Sequence, residues 1–147
     1  MVRNNNNMNL IIQQNCSNID WSLVPIILEL GNMGFHEASV HKKAFEHSAS
    51  VIFVFDDDKL IGFGRAISDG EYQAAIYDVA VLPNYQGSGV GRLIIETIVK
   101  SLPHCNFILY ASPGKEKFYE KLNFRKMKTG MGLFINAERM QCKGIIE

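Results

Sequence analysis

Short apolar runs alternate with helix-like repeats along the chain, and their order predicts a mixed sheet of the α/β (α+β) class. Runs rich in β-branched and aromatic residues, which suit strands, occupy positions 9–14, 50–55, 60–67 and 74–81. Turns rich in Asp or Gly separate the last three runs. Three strands joined by such tight turns are expected to form an antiparallel meander.

Apolar residues at helical spacing predict two helices between the first and second strands. One begins near Trp21, with Asp20 as its N-cap, and the other covers positions 39–47. We expect both helices to lie over one side of the sheet. The positions of the second helix that are expected to face inward are Val40, Ala44 and Phe45.

A third helix, predicted at 90–101, joins the last strand of the meander to an apolar run at 107–110. Because a strand–helix–strand crossover places its two strands parallel, this run is expected to pair in parallel with that strand. A fourth helix begins after Pro113 and stops at Asn123, a residue that tolerates the left-handed conformation. The apolar residues that follow, over 124–135, predict a final hairpin.

The junction between the meander and the third helix carries three glycines at alternate positions, Gly87, Gly89 and Gly91. Glycine lets successive N–H groups turn inward, and the new helix adds unpaired amides and the positive end of its dipole. The stretch therefore predicts a cradle for a phosphate or pyrophosphate, with a plain connecting turn as the alternative. Arg92 and Leu93 stand where a Walker loop needs Lys and Ser or Thr, and Arg92 also replaces the third glycine of a dinucleotide fingerprint.

Length and composition suit one globular domain. The 147 residues are 47% hydrophobic and 20% charged, and we expect a domain over 8–147 after a disordered lead-in at 1–7, which includes four consecutive asparagines. Zero formal net charge favours no nucleic-acid or membrane partner, and no apolar run has the length of a membrane span.

Cysteines and histidines show no metal-ligand spacing, so no metal is predicted. The three cysteines are odd in number and far apart, which indicates reduced thiols and a cytoplasmic location. The histidines are expected at the surface or in loops; they are His36, His41, His47 and His104.

Two signatures stand in order along the chain. The first is Gln86-Gly87-Ser88-Gly89-Val90-Gly91, and the second is the segment from Phe118-Tyr119 to Asn123-Phe124. Together they resemble the GNAT superfamily of acetyl-CoA-dependent N-acetyltransferases, over nearly the whole chain from Met8. The family patterns are Gln/Arg-x-x-Gly-x-Gly/Ala and Phe-Tyr-x-x-x-Gly-Phe, and Asn123 replaces the glycine of the second. The resemblance implies a mixed, mainly antiparallel sheet of six or seven strands, flanked by about four helices, with a parallel strand pair that splays after Phe107.

The resemblance also implies roles for individual residues. Tyr119 would protonate the departing thiolate, although an aromatic packed against the sheet is the structural alternative. A bulge in the strand before the loop would leave an N–H to polarise the thioester carbonyl. That strand would pair with the pantetheine arm of acetyl-CoA through Val79 and Val81. The backbone amides that would hold the pyrophosphate are those of Gln86, Gly87, Ser88, Gly89, Val90 and Gly91.

The general base is less well defined. Ala75 and Tyr77 stand at the positions where many family members carry a Glu or His. Asp78 is the first candidate if the bulge turns it inward, and Glu71, Tyr77 or ordered water are the others. A carboxylate that pins the bulge is the alternative role of Asp78.

The sequence thus predicts transfer of an acetyl group from acetyl-CoA to a primary amine, by direct attack in a ternary complex. Neutral charge and short connections favour a small-molecule amine as the acceptor. A protein or peptide N-acetyltransferase and a non-catalytic acyl-CoA-binding module are the alternatives. The oligomeric state stays open, with a homodimer among the options.

Overall fold

The computed structural model describes residues 7–147, which divide into two compact units. One unit contains the described residues up to Leu109, and the other is Tyr110–Glu147. The disordered lead-in expected at 1–7 lies outside the described residues except for Asn7. The single domain over 8–147 stays a prediction.

The first unit is built on a five-stranded sheet in the order β1-β2-β3-β4-β5. Every neighbouring pair is antiparallel except β4 and β5, which are parallel, so the meander and the crossover are confirmed. The strands are β1 (Leu10–Gln13), β2 (Ser50–Asp56), β3 (Lys59–Ser68), β4 (Gln73–Val81) and β5 (Asn106–Ile108).

Three helices of this unit cover the two faces of the sheet; they are α1 (Leu23–Leu30), α2 (Ala38–Glu46) and α3 (Val90–Ser101). Phe53 and Phe63 pack with α1 and α2 in one buried cluster. Gly64, the next residue in β3, instead faces Ile94 of α3. Because neighbouring residues of a strand point to opposite faces, α3 lies on the face opposite to α1 and α2.

The inward face of α2 matches the prediction at Phe45 but not at Val40. His41 and Phe45, one turn apart, are its buried residues, whereas Val40 is 47% exposed. The expectation that His41 lies at the surface is therefore wrong. Its burial is compatible with the fold because its Nε2 accepts the backbone N–H of His36 at 2.9 Å, and a buried polar group needs such a partner.

The close contact between β3 and α3 leads to a stability prediction. A Cβ at Gly64 would lie 2.7 Å from Cγ2 of Ile94 and 3.3 Å from Cγ2 of Val79. We expect Gly64→Ala to lower the free energy of unfolding by about 1–3 kcal/mol, the usual cost of overpacking a core. Gly31→Ala is the control, since its Cβ would come no nearer than 3.5 Å to its neighbours and its φ is −90°. Urea unfolding measures both, and equal stability of the two variants would contradict the prediction.

The second unit contains two short helices, α4 (Glu116–Glu120) and α5 (Ala137–Cys142). Asn123 has a φ of 70°, which confirms its predicted left-handed conformation, although α4 itself ends three residues earlier, at Glu120. The side chain of Asn136 caps α5 by accepting the N–H of Arg139 at 3.0 Å. With α5, which was not predicted, the described residues hold five α-helices.

The predicted final hairpin is wrong, and the described sheet therefore has five strands instead of six or seven. Residues 124–135 contain no strand. Alternation predicts a strand only where a partner supplies hydrogen bonds and a packing surface, and glycines within the run weaken it. Gly130 and Gly132 interrupt this run. Its apolar side chains at alternate positions are almost fully exposed; they are Met131, Leu133 and Ile135.

Candidate functional site

The glycine loop lies between β4 and α3, as the sequence predicts. After β4 the chain makes a 3₁₀ turn, Pro83–Tyr85, and α3 then begins at Val90 with Gly89 as its N-cap residue. Gly87 and Gly89 have φ values of 76° and 91°, in the region that favours glycine. A Cβ at either would meet nothing within 4 Å. Conformation, and not crowding, therefore requires glycine here.

The start of α3 is suited to an anion. No side chain caps it within the described residues, so its first amides have no side-chain acceptor. Two side chains of the loop bind backbone carbonyls that precede it. Ser88 Oγ donates to the carbonyl of Tyr85, and Gln86 Nε2 donates to the carbonyl of Val81 at 3.1 Å. The loop thus combines left-handed glycines with the positive end of a twelve-residue helix, which is the chemistry of a phosphate site.

The strand before the loop carries a bulge. Tyr77 pairs with Arg65 and Ala80 with Phe63, so two residues of β4 oppose Gly64 alone. Asp78, one of the two, has a φ of 54°. The other is Val79, which was assigned to the strand along the pantetheine arm. The expected bulge is therefore present in β4.

The parallel pairing of β4 covers only its first half. The ladder with β5 ends at Ala75 and Ile108, one residue beyond the expected splay point, whereas β4 continues to Val81. Within residues 7–147 no strand pairs with β4 beyond Ala75 on that side. Val79 and Val81 thus lie on the part of β4 that has no partner strand on the β5 side.

Asp78 forms an ion pair that the sequence reasoning did not include. Its Oδ2 accepts from Nε of Arg65 at 2.6 Å, and the two side chains are 22% and 17% exposed. The guanidinium also lies 5.8 Å from the ring centroid of Phe45 and 5.5 Å from that of Tyr77. These contacts fix the bulge, as in the alternative role of Asp78. The register of β3 against β4, not any local motif, reveals Arg65.

The ion pair predicts a measurable loss of stability. Asp78→Asn keeps a side chain that tolerates a positive φ but removes the charge. We expect the free energy of unfolding to fall by about 1–3 kcal/mol, because Arg65 is left partly buried without its charged partner. Arg92→Gln is the control: it removes the exposed Arg92–Glu96 pair and is expected to cost under about 0.5 kcal/mol. Urea titration that gives equal losses for both variants would contradict a structural role of the Arg65–Asp78 pair.

A neutral histidine, His41, lies buried in this part of the first unit. Burial lowers its pKa below the ordinary value of 6.5, and this outweighs the raising effect of the Asp78 charge. The imidazole is therefore neutral at pH 7. Because Nε2 accepts from the N–H of His36, the ring proton lies on Nδ1.

Tyr119 belongs to the second unit, where it forms part of an aromatic group. Its ring centroid lies 4.9 Å from that of Phe118 and 5.7 Å from that of Phe124, both edge to face. Burial raises the pKa of its phenol above the ordinary 10.0. The phenol is therefore protonated at neutral pH, as a general acid requires.

The described residues contain neither a metal-binding cluster nor a membrane-spanning helix. Over residues 7–147, no group of three or more His, Cys, Asp or Glu side chains is arranged to hold a metal ion. No helix in the same range is both long and apolar enough to span a membrane.

A cavity of about 370 Å³ lies at the start of β2 and the end of α3, where Ser50 and Ser101 line it. It is therefore at the opposite end of α3 from the glycine loop.

Relatives of the chain are acetyltransferases. An uncharacterized N-acetyltransferase of Porphyra purpurea, ycf52, is 31% identical over 142 residues, which cover 90% of this chain and 75% of that protein. The histone acetyltransferase TAP1 of Glycine max is 30% identical over 129 residues, 84% of this chain and 54% of that protein.

Solved structures share the fold. A probable acetyltransferase of Staphylococcus aureus has a TM-score of 0.73 and 26% identity, over 85% of this chain and 98% of that one. Glucosamine-6-phosphate N-acetyltransferase of Arabidopsis thaliana has a TM-score of 0.71 over 86% of this chain and 99% of that one, at 14% identity, which is a likeness of fold. The Acetyltransferase (GNAT) family pattern matches residues 19–124. The chain therefore belongs to the GNAT family and is an acetyl-CoA-dependent N-acetyltransferase, as the two signatures predict.

Proposed function

We propose that this enzyme transfers the acetyl group of acetyl-CoA to a primary amine of a small molecule, by direct attack in a ternary complex. The observation that carries the proposal is the glycine loop, with Gly87 and Gly89 in the left-handed region and open space where their side chains would be. Unpaired backbone amides at the start of a helix bind a diphosphate well. The bulged half of β4 leads directly into this loop.

The donor would bind along this strand and loop. The amides from Gln86 to Gly91 would hold the pyrophosphate, and the backbone around Val79 and Val81 would pair with the amides of the pantetheine arm. Support for the second assignment is that no strand among the described residues pairs with this half of β4 on the β5 side. An extended arm can add there as a strand does. A bulge N–H would then polarise the thioester carbonyl.

The reaction needs one proton removed and one supplied. The neutral amine nitrogen forms a bond to the thioester carbon, the carbon–sulfur bond breaks, and the thiolate of CoA leaves with the electron pair. Tyr119 would donate its phenolic proton to that sulfur. The nitrogen proton would pass to a base, for which Asp78 is our candidate, with Glu71, Tyr77 or water as alternatives. The ion pair with Arg65 favours a positioning contribution from Asp78 as well.

The acceptor is proposed from general features of the chain. Zero net charge gives no field that would gather a strongly charged macromolecule, and the β2–β3 and β3–β4 connections are short. A protein acceptor is the second candidate, because the Glycine max relative at 30% identity is named a histone acetyltransferase. Three free cysteines support a reducing location, which we propose is the cytoplasm.

A thiol-release assay with acetyl-CoA tests the function. The panel contains an aralkylamine, a polyamine, an amino sugar, a lysine-containing peptide and a peptide with a free N-terminus. We expect turnover with one class of small amine and none with the peptides. Turnover with peptides alone would establish the protein acceptor instead. Absence of CoA binding in calorimetry would overturn the proposal, since no acceptor could then be acetylated.

A further inference from the structure

A buried acid at the end of β2 holds the entrance of the glycine loop. Asp56 is 5% exposed and Tyr85 is 4% exposed. The hydroxyl of Tyr85 donates to Oδ2 of Asp56 at 2.7 Å, and the backbone N–H of Asn9 donates to Oδ1 at 3.1 Å. Both carboxylate oxygens are therefore engaged, one of them by a tyrosine that lies immediately before the loop.

Tyr85 is fixed by its backbone as well as by its ring. Its N–H donates to the carbonyl of Leu82 at 2.9 Å, within the 3₁₀ turn that leaves β4. Its own carbonyl accepts from Ser88 Oγ, inside the loop. The ammonium of Lys59, which pairs with Asp56 in the sheet register, lies 5.7 Å from the centroid of its ring. Tyr85 thus links the β2–β3 turn to the middle of the loop.

The other hydrogen bonds of the loop are local: Gln86 donates from Nε2 to the carbonyl of Val81 and from its backbone N–H to the carbonyl of Pro83. Gly87 and Gly89 have no heavy atom within 4 Å of where a Cβ would be, so no packed side chain supports the two glycines from that side. Glycine loses more conformational entropy on ordering than any other residue. A ligand that orders such a loop binds more weakly than one that finds it already ordered. An anchor at Tyr85 would therefore act on donor affinity.

We propose that Asp56 and Tyr85 are positioning residues for acetyl-CoA, which hold the pyrophosphate loop in its binding conformation through their buried hydrogen bond. This inference rests on the proposed function, because it takes the loop as the pyrophosphate site. Neither side chain is among the groups that the proposed function assigns to the reacting atoms. Their loss should therefore raise KM for acetyl-CoA and the Kd of CoA, and leave kcat at saturating donor nearly unchanged.

Tyr85→Phe is the main test. It removes the donor and keeps the ring, and we expect Kd and KM to rise on the order of tenfold, about the effect of one net hydrogen bond. Asp56→Asn is the conservative rescue, because its amide oxygen can accept from Asn9 and its NH₂ can donate to the Tyr85 oxygen. The rise in Kd and KM should be smaller for Asp56→Asn than for Asp56→Ala. Tyr72→Phe is the matched control, since this side chain is 63% exposed in the β3–β4 turn.

The Kd of CoA is measured by calorimetry, KM and kcat by steady-state kinetics, and the order of the loop by amide hydrogen exchange of residues 86–91. All measurements are made well below the melting temperature of every variant. Faster loop exchange with raised Kd and unchanged kcat supports the inference. Kd and exchange equal to wild type in Tyr85→Phe overturn it, as does a lowered melting temperature alone. If wild-type protein binds no CoA, the proposed function fails. Loop exchange in the free protein then decides separately whether the pair orders the loop.

Discussion

Gly89→Glu is expected to abolish CoA binding while the protein stays folded. Gly89 is the residue before α3, and its φ of 91° costs any other residue about 1–2 kcal/mol. Its Cβ would enter open space, so the core is not disturbed. The carboxylate would instead stand at the amides assigned to the pyrophosphate and repel it. We expect the Kd of CoA, measured by calorimetry, to rise by roughly 100-fold or more.

Gly70→Glu is the matched control for this variant. Gly70 also has a positive φ, of 78°, and also has no heavy atom within 4 Å of an added Cβ. It lies in the β3–β4 turn, at the end of β4 away from the loop. The two variants therefore carry similar backbone strain and the same charge change. Equal CoA affinity in both would contradict the assignment of the pyrophosphate to the glycine loop.

Features that depend on neighbouring residues in sequence could be predicted. The glycine loop follows from residues 86–91 alone, because glycine spacing and the start of a helix are local properties. The parallel pairing of β4 and β5 follows from the helix between them, since a crossover has one favoured outcome. Asn123 follows from its place after an apolar helical repeat. In each case the residue type and its immediate context decide the structure.

Features that depend on contacts between distant residues could not be predicted from the sequence. The partner of Asp78 is Arg65, thirteen residues away, and it is found only from the register across the bulge. Tyr85 and Asp56 are twenty-nine residues apart, and nothing in either segment indicates their bond. His41 reads as a surface residue because histidine is polar, but a backbone N–H five residues earlier satisfies it when buried. The predicted final hairpin is wrong because the alternating apolar residues at 131–135 have no partner strand among the described residues.

Tyr119→Phe is expected to lower kcat by about 100-fold, the usual contribution of a general acid, and to leave the Kd of CoA nearly unchanged. The substitution removes only the hydroxyl, so the edge-to-face contacts with Phe118 and Phe124 are retained. Steady-state kinetics and calorimetry measure the two quantities. Tyr72→Phe, which removes an exposed hydroxyl, should change neither. Equal losses of turnover and affinity, with lowered thermal stability, would assign the phenol a structural role instead.

The pH dependence of kcat gives a second test of Tyr119. Burial raises the pKa of this phenol above 10.0, so the folded enzyme holds the proton more tightly than the unfolded chain does. The acid is therefore present throughout the neutral range and is lost only as the pH rises through that raised value. Below pH 10 we expect the kcat of wild type and of Tyr119→Phe to depend on pH in the same way, because the phenol stays protonated there. A decline centred near pH 7 or 8 that the substitution removes would mean that the phenol ionises too early to serve as the acid.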